Sequence, residues 1–318
     1  MRAGTQRTAS AGPSRPARRP LGRPARPQLL PDRLPPGIPG DPGWFGPGSQ
    51  VWRVWREKLL LLGGPTALLL QLAHPLIAAG VAAHSSFRHD PLRRLRGTLD
   101  TTLTVAFGDR QQALTAAARV GKLHQRVQGR LPVASGCFPA GTVYHASDPH
   151  LALWVHATLV MVALDVTNQF ISSLSLEQRA DYYQQSKPFA MLFGVTEQVL
   201  PDSYVAFETY LQRMVQGPEL AVDQTAQELA AAVFDGWLLA LPHPPAVATR
   251  LLTAGLLPAR FQEGFGLAWG RREQYLYAVL RGALRVAAPS LPPTLRFWPH
   301  YGVALRRVAA TPRPTDTA

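Results

Sequence analysis

The stretch LLLLGGPTALLLQLAHPLIAAGVAA, residues 59–83, decides the fold, because it carries no formal charge when histidine is neutral. A segment of this length could cross a bilayer. Gly63-Gly64-Pro65 and His74-Pro75 would break such a span, and Gln71 would put an amide inside it. A helix that is buried on every face beside a cofactor has the same composition. The sequence favours that buried core over a membrane span.

Helices are predicted on both sides of this segment. Ser49 is a suitable N-cap for a helix that starts at Val51. Alternating β-branched runs are scarce, since Ala, Leu, Gln and Arg dominate. A second apolar run, residues 151–163, is too short to span a bilayer alone and contains His156. We therefore predict an all-α fold, a single large domain of about ten helices around a cofactor pocket. The predicted helices cover about 50–62, 65–84, 92–107, 110–128, 149–173, 176–191, 202–216, 222–241, 246–269 and 271–286.

The formal net charge of +13 is concentrated at the N-terminus. Residues 1–40 contain eight Arg, one Asp and nine Pro, so we predict a disordered tail there. The remaining 278 residues carry a net charge of about +6 without a dense basic stripe, which argues against specific nucleic-acid binding. Such a tail could make a weak contact with nucleic acid or anionic lipid, and a solvated tail is the favoured interpretation. The predicted helical domain covers residues 41–308, and residues 309–318 form a flexible C-terminus.

Several classes of protein are excluded by residues that the sequence lacks. Cys137 is the only cysteine, so an intrachain disulfide, a cysteine-based metal site and covalent haem attachment through paired cysteines are all excluded. We find no zinc-protease, dinucleotide-binding or serine-hydrolase motif. The Arg-rich N-terminus is not followed by an apolar run of the kind found in a secretion signal, so a cytoplasmic protein is expected.

The histidines are the candidate functional residues. A lone histidine in an apolar segment is usually a core imidazole that hydrogen-bonds to the backbone, but four of the nine lie in apolar, predicted helical segments. A neutral imidazole in a dry pocket is what a haem iron requires. Arg94 and Thr98 are one helical turn apart and could bind haem propionates. The four histidines are His74, His84, His124 and His156.

Short sequence strings around these histidines and around Arg94 and Thr98 resemble a family of haem-binding oxygenases that was long known only as a domain of unknown function. The family includes latex clearing protein, which is a rubber oxygenase, and the oxygenase of mycophenolic acid biosynthesis. The resemblance covers roughly residues 43–290, and the strings occur in the family's order. They are Gln71-Leu-Ala-His74-Pro75, Gly80-Val-Ala-Ala-His84-Ser85, Arg94-x-x-x-Thr98, His124-Gln-Arg-Val-Gln-Gly129, Tyr144-His-Ala-Ser-Asp148-Pro149 and Trp154-Val-His156-Ala-Thr158.

The resemblance implies a mainly helical domain with one b-type haem. Carried over by position, Arg94 and Thr98 would support the cofactor and His124 would ligate the iron, with His156 the next candidate. The chemistry it implies is dioxygen-dependent cleavage of a carbon–carbon double bond in polyisoprenoid-like substrates. The rubber-cleaving branch has a Lys before the Thr and an acidic residue in the preceding helix. Here Gly97 precedes Thr98, and residues 59–83 contain no Asp or Glu.

The sequence therefore predicts a haem b-dependent oxygenase that acts with dioxygen on an apolar small-molecule substrate. His84 or His74 would steady bound oxygen from the opposite side of the haem. Two alternatives stay open. One is a haem carrier, sensor or redox protein without oxygenase turnover, and the other is a membrane-associated structural protein that uses residues 59–83.

Overall fold

In the computed structural model, residues 34–84, 91–240 and 246–310 are described, with the backbone alone for residues 91–95 and 236–240. The first helix, α1 (Gln50–Trp55), begins at the predicted N-cap. Ser49 Oγ accepts a hydrogen bond from the backbone N–H of Trp52 at 3.1 Å. Because this bond satisfies one of the free amides of the first turn, the helix starts here.

The charge-free stretch contributes much of the buried core, and its two helices together are also long and apolar enough for a broken membrane span. A 3₁₀ helix, Lys58–Gly63, leads into α2 (Gly64–Leu72), and α3 (Pro75–His84) follows after a bend of 103°. The predicted single helix over 65–84 is therefore wrong. Pro75 has no N–H to continue the α2 ladder, so the chain turns at His74.

A helical hairpin and a small sheet follow the core helices. α4 (Pro91–Phe107) and α5 (Arg110–His124) pack against each other across a two-residue turn. The predicted helix over 110–128 ends early, and the chain enters strand β1 (Gln128–Arg130). It pairs antiparallel with β2 (Val143–His145), and Gly129 lies opposite Tyr144.

The apolar run near residue 151 becomes the long core helix α6 (Pro149–Val166), which continues as a π-helix, Thr167–Ile171. Together these 23 residues are long and apolar enough to cross a bilayer. Two thirds of their most apolar window is nevertheless buried against other helices, as in the core helix of a folded domain. α6 packs on α2, so the two apolar segments of the sequence bury each other.

The second half of the chain encloses this core with helices. The predicted helix over 246–269 is broken by Pro258 into two, and a final helix that the sequence did not predict closes the fold. The helices are α7 (Leu176–Leu192), α8 (Tyr204–Gln216), α9 (Gln224–Ala240), α10 (Ala246–Leu256), α11 (Ala259–Gly264), α12 (Arg271–Ala287), α13 (Pro293–Arg296) and α14 (Pro299–Ala309). The prediction of an all-α fold is confirmed, with β1 and β2 the only strands in the ranges described.

The first described residues form hydrogen bonds to the α4–α5 turn and to α14. The amide of Ile38 donates to the Asp109 carboxylate at 2.8 Å, and the amide of Gly40 donates to the carbonyl of Arg307 at 2.9 Å. Residues 34–40, which the sequence placed in the tail, thus pack on the helical body. The rest of that tail, residues 1–33, and residues 311–318 lie outside the described ranges.

Candidate functional site

The α4–α5 hairpin brings the three residues of the Arg-x-x-x-Thr and His-Gln-Arg strings to one end of the protein. Asp109 caps α5 by accepting from the Gln112 amide at 2.7 Å. Arg94 lies thirteen residues before the end of α4, and His124 lies fourteen residues after the start of α5. At about 1.5 Å per residue, both are about 20 Å from the turn, so they lie beside each other across the hairpin.

His124 is the last residue of α5 and is half-buried. It follows Ala113 and Ala117 at helical spacing, and both of these alanines are buried on the inward face of α5. The imidazole therefore starts from the side of α5 that faces the protein. Its carbonyl accepts from the amide of Val127 at 3.0 Å, which turns the chain towards β1.

The two predicted site residues on α4 are Arg94, of which the structure describes the backbone, and Thr98, which it describes in full. Thr98 is exposed and lies one turn after Arg94. The side chain of Arg94 and residues 85–90, which connect α3 to α4, fall outside the described ranges. The placement of Arg94 beside His124 thus rests on the backbone of the hairpin.

His84 joins the same end of the protein from α3. It is exposed at the last position of that helix, and its Nε2 lies 3.0 Å from the carbonyl oxygen of Gln128, four residues after His124. Its ring also meets the Tyr144 ring edge-on at 6.4 Å. In the tautomer that carries the proton on Nε2, this nitrogen donates to the carbonyl and Nδ1 is left as an acceptor.

His74 occupies the opposite end of α3, in the bend that precedes it. The ring is buried against Phe138 at 5.3 Å, and burial lowers its pKa to about 4, against the opposing effect of Asp148 and Glu219. His74 is therefore neutral at neutral pH. Ten residues of helix separate it from His84, about 15 Å, so the structure does not bring the two predicted oxygen-steadying histidines together.

His156 lies in the interior, on α6. Its side chain is 4% exposed, and burial lowers its pKa to about 4. Nε2 is 3.3 Å from the hydroxyl of Ser186, whereas Nδ1 is buried without a hydrogen-bond partner. The result is a neutral imidazole with one free nitrogen in an apolar environment.

A small cavity adjoins this imidazole. Its volume is about 10 Å³, enough for about one water molecule. On one side it is closed by a hydrogen bond of 2.7 Å from the indole N–H of Trp55 to the hydroxyl of Tyr182. Sequence reasoning missed the residues of α7 in this cavity, although their spacing places them on one helical face. The lining residues are Val51, Trp55, Ala106, His156, Leu159, Val160, Tyr182, Ser186 and Phe189.

The family resemblance implies a haem, and two places are candidates to hold it: the cavity beside His156 and the end of the α4–α5 hairpin at His124. They differ in how well they fit this cofactor. At His156 the chemistry of the imidazole is suitable, but a cavity for one water cannot hold the macrocycle. At the end of the α4–α5 hairpin, the donor set of an inward-facing imidazole, a hydroxyl and a guanidinium matches iron and propionates. By residue type, this end of the protein is the better candidate for the cofactor. Across the described ranges, no group of three His, Cys, Asp or Glu side chains is placed to hold a bare metal ion.

The chain is similar to two known proteins. Two mycobacterial proteins, Uncharacterized protein Rv2237 of Mycobacterium tuberculosis and Uncharacterized protein Mb2261 of Mycobacterium bovis, are each 27% identical over 237 residues. The match covers 71% of this chain and 87% of each relative. No solved structure matches significantly.

A family model also matches the chain, over residues 52–287, which is more than half of its length. The model describes the catalytic domain of "ER-bound oxygenase mpaB/B'/Rubber oxygenase". The matched range begins in α1 and ends with α12, so it contains the hairpin and all four histidines. The chain therefore belongs to the mpaB and rubber oxygenase family and carries its oxygenase catalytic domain.

Proposed function

We propose that this oxygenase binds a b-type haem at the open end of the α4–α5 hairpin and acts with dioxygen on an apolar small molecule. The proposal is supported by the hairpin, in which Arg94 and His124 lie at nearly equal distances from the turn and Thr98 lies one helical turn nearer to it. These are the three residues that the family resemblance assigns to the haem site.

Each of the three residues has a distinct role in the proposal. His124 ligates iron through its imidazole, since it lies on the inward face of α5. Arg94 and Thr98 bind the propionates, because a guanidinium forms charge-assisted hydrogen bonds to a carboxylate and a hydroxyl adds a further donor. When bound, the haem supplies the iron at which dioxygen reacts.

His84 is the second polar group at this end. While Nε2–H donates to the carbonyl of Gln128, the neutral ring presents only the lone pair of Nδ1. In this state His84 accepts a proton or a hydrogen bond, and it donates one only after protonation or release from Gln128. We therefore propose that His84 acts as an acceptor at this end of the protein, whereas from the sequence we expected it to steady bound oxygen.

An apolar wall leads to His84 along α3. Ile77 and Val81 share a helical face with His84 and are only partly buried. An apolar substrate that lies on this face would have its end near the histidine. The Lys and the acidic residue of the rubber-cleaving branch are absent here, since Gly97 precedes Thr98 and residues 59–83 contain no Asp or Glu. We therefore propose an apolar substrate but do not propose the rubber-cleaving mechanism.

The experiment is a visible absorption spectrum with a pyridine haemochrome assay on purified, haem-reconstituted protein. We expect a b-type haem, and His124→Ala should lose most of the bound haem or change its ligand-sensitive bands. His150→Ala, which removes an exposed histidine at the start of α6, is the matched control. An unchanged spectrum and haem content in His124→Ala would transfer the ligand role to another histidine. Failure of the wild-type protein to bind haem would overturn the proposal.

A second candidate function rests on the closeness of two histidines. His84 and His124 both lie next to the start of β1, so both rings could reach one iron if His84 released Gln128. Iron with two imidazole ligands has no open position for dioxygen, which suits a carrier, sensor or redox protein. A low-spin spectrum that becomes exchangeable in His84→Ala would favour this function over the oxygenase.

A further inference from the structure

Helix α12 exposes an apolar face to solvent, which is unusual for an amphipathic helix of a folded domain. Among its 17 residues Tyr277 is the buried one. Its hydroxyl donates to the Gln169 amide oxygen at 2.7 Å, and Arg285 donates to the carbonyl of Asn168 at 2.7 Å. Polar bonds to the π-helix therefore fix the inner side of α12.

The outer side of α12 carries a stripe of large apolar residues. Tyr275, Val279 and Val286 follow at spacings of four and seven, which places them on one face. They are 70%, 53% and 78% exposed. Five of the sixteen exposed large apolar side chains in the described ranges lie within residues 271–296, the other two being Leu276 and Leu295. Such clustering marks an interaction surface, whereas scattered apolar residues would not.

The same segment is strongly basic. Residues 271–296 contain five Arg and one acidic residue, Glu273. The Glu273 carboxylate already accepts from the amide of Gly270 at the start of the helix, at 2.9 Å. Arg271 and Arg272 are exposed in the first turn of α12, on either side of the apolar stripe, whereas Arg281 lies on the side of Tyr277. Because Arg285 faces the π-helix and Arg296 pairs with Glu57, the positive charge beside the apolar stripe is that of Arg271 and Arg272.

The combination of apolar side chains and arginines indicates which kind of partner this face of α12 binds. An interface with a second copy of the chain would gather the arginines of both copies with Glu273 as the acidic residue of the segment, and the eight Arg of residues 1–33 exclude the N-terminal segment because they add further positive charge. An anionic bilayer offers negative headgroups to the arginines and an acyl boundary to the valines and the tyrosine. We propose that the outer face of α12 binds the surface of an anionic lipid bilayer. This inference does not depend on the haem.

The test is sedimentation of the full chain with phosphatidylcholine vesicles, with and without phosphatidylglycerol. We expect binding only to the anionic vesicles. Val279→Asp combined with Val286→Asp should abolish it, whereas Val205→Asp, an equally exposed valine on α8, should leave it unchanged. Arg271→Gln with Arg272→Gln should weaken binding about thirtyfold, or about fivefold for each arginine. Thermal melts that match the wild type show that the variants are folded.

Four results would overturn the proposal. The first is that the wild type does not bind anionic vesicles, and the second is that the valine variant binds as well as its Val205→Asp control. The third is that only the arginine variant loses binding to the vesicles. The fourth is a dimer that light scattering detects without lipid and that the valine variant abolishes. The third would mean electrostatic adsorption, to which residues 1–33 could contribute, and the fourth would assign the face to a second copy. Because the assay works on haem-free protein, its failure is distinguishable from failure of the haem proposal.

Discussion

The buried imidazole of His156 makes the stability of the protein depend on pH in a way that one substitution can isolate. Burial lowers its pKa from 6.5 in the unfolded chain to about 4 in the folded protein. Between these values the unfolded chain binds a proton that the folded protein does not, so acid favours unfolding. The stabilising contribution is complete above pH 6.5 and is lost as the pH falls towards 4.

The size of this effect follows from the two pKa values. Each pH unit of difference is worth about 1.4 kcal/mol, so the whole window corresponds to about 3 kcal/mol, and about 2 kcal/mol is lost by about pH 5. His74 contributes in the same direction, since its pKa is also lowered to about 4. Asp165 opposes both, because burial raises the pKa of its carboxyl to about 6 and acid keeps it neutral. The pH dependence of the wild type alone therefore does not isolate His156.

The assay is urea unfolding of haem-free wild type and His156→Gln at about pH 7 and about pH 5. The glutamine does not titrate, so the variant should lose about 2 kcal/mol less than the wild type between the two conditions. Any constant cost of the substitution cancels in this comparison. His150→Gln, at an exposed position, should lose as much as the wild type. Equal losses in His156→Gln and wild type would refute the reasoning, because His156 would then have the same pKa folded and unfolded.

Two further predictions concern the packing that holds the chain together. Glu57 is buried and accepts two short hydrogen bonds from Arg296, both of 2.8 Å. Glu57→Gln should therefore lower the free energy of unfolding by about 3 kcal/mol. Arg56→Gln should lower it by less than about 1 kcal/mol, because Arg56 Nε lies 3.8 Å from Glu57 Oε1. Gly43→Ala should destabilise by more than about 2 kcal/mol because its φ of +77° is left-handed and a Cβ would strike the carbonyl of the α4–α5 turn. Gly141→Ala, with a φ of +86° and open space around it, should cost only the backbone strain of about 1 kcal/mol. Chemical denaturation measures both pairs, and equal effects within a pair would contradict the stated contacts.

The core could be predicted from the sequence because its signal is compositional. An uncharged stretch of this length must be buried either in protein or in lipid, and the two breaks at Gly63-Gly64-Pro65 and His74-Pro75 argued against lipid. The sequence did not give the angle between the resulting helices. Their bend of 103° depends on how α3 packs against α9 and the two strands, which are distant in the chain.

The elements that were missed are short or depend on tertiary contacts. β1 and β2 have three residues each, and their pairing is supported by Tyr144 and Leu131 packing on α3, contacts that no local pattern reveals. α14 did have a local signal, since Pro299 at its first turn is a favoured start residue. Its place in the fold depends on buried Arg307, which donates to the carbonyls of Asp41 and Phe107.

For the candidate site, the sequence proposed residues but could not predict which of them meet. His84 contacts Gln128 across 44 residues, and His156 contacts Ser186 across 30 residues. Spacing along one helix carries no information about such pairs. The hairpin is the pair for which spacing would have sufficed, because a tight turn between two helices of nearly equal length makes residues equidistant from it neighbours.

The choice between His124 and His156 as iron ligand can be argued from access as well as from resemblance. A haem that reached His156 would have to separate Trp55 from Tyr182 and displace Phe189, whose ring stacks on the imidazole at 6.2 Å. Opening so much closely packed aromatic surface costs several kcal/mol before any bond to iron forms. His124 is half-buried at the last position of α5, and binding there leaves the Trp55–Tyr182 pair and Phe189 in place. Access therefore favours the proposal that His124, and not His156, is the iron ligand.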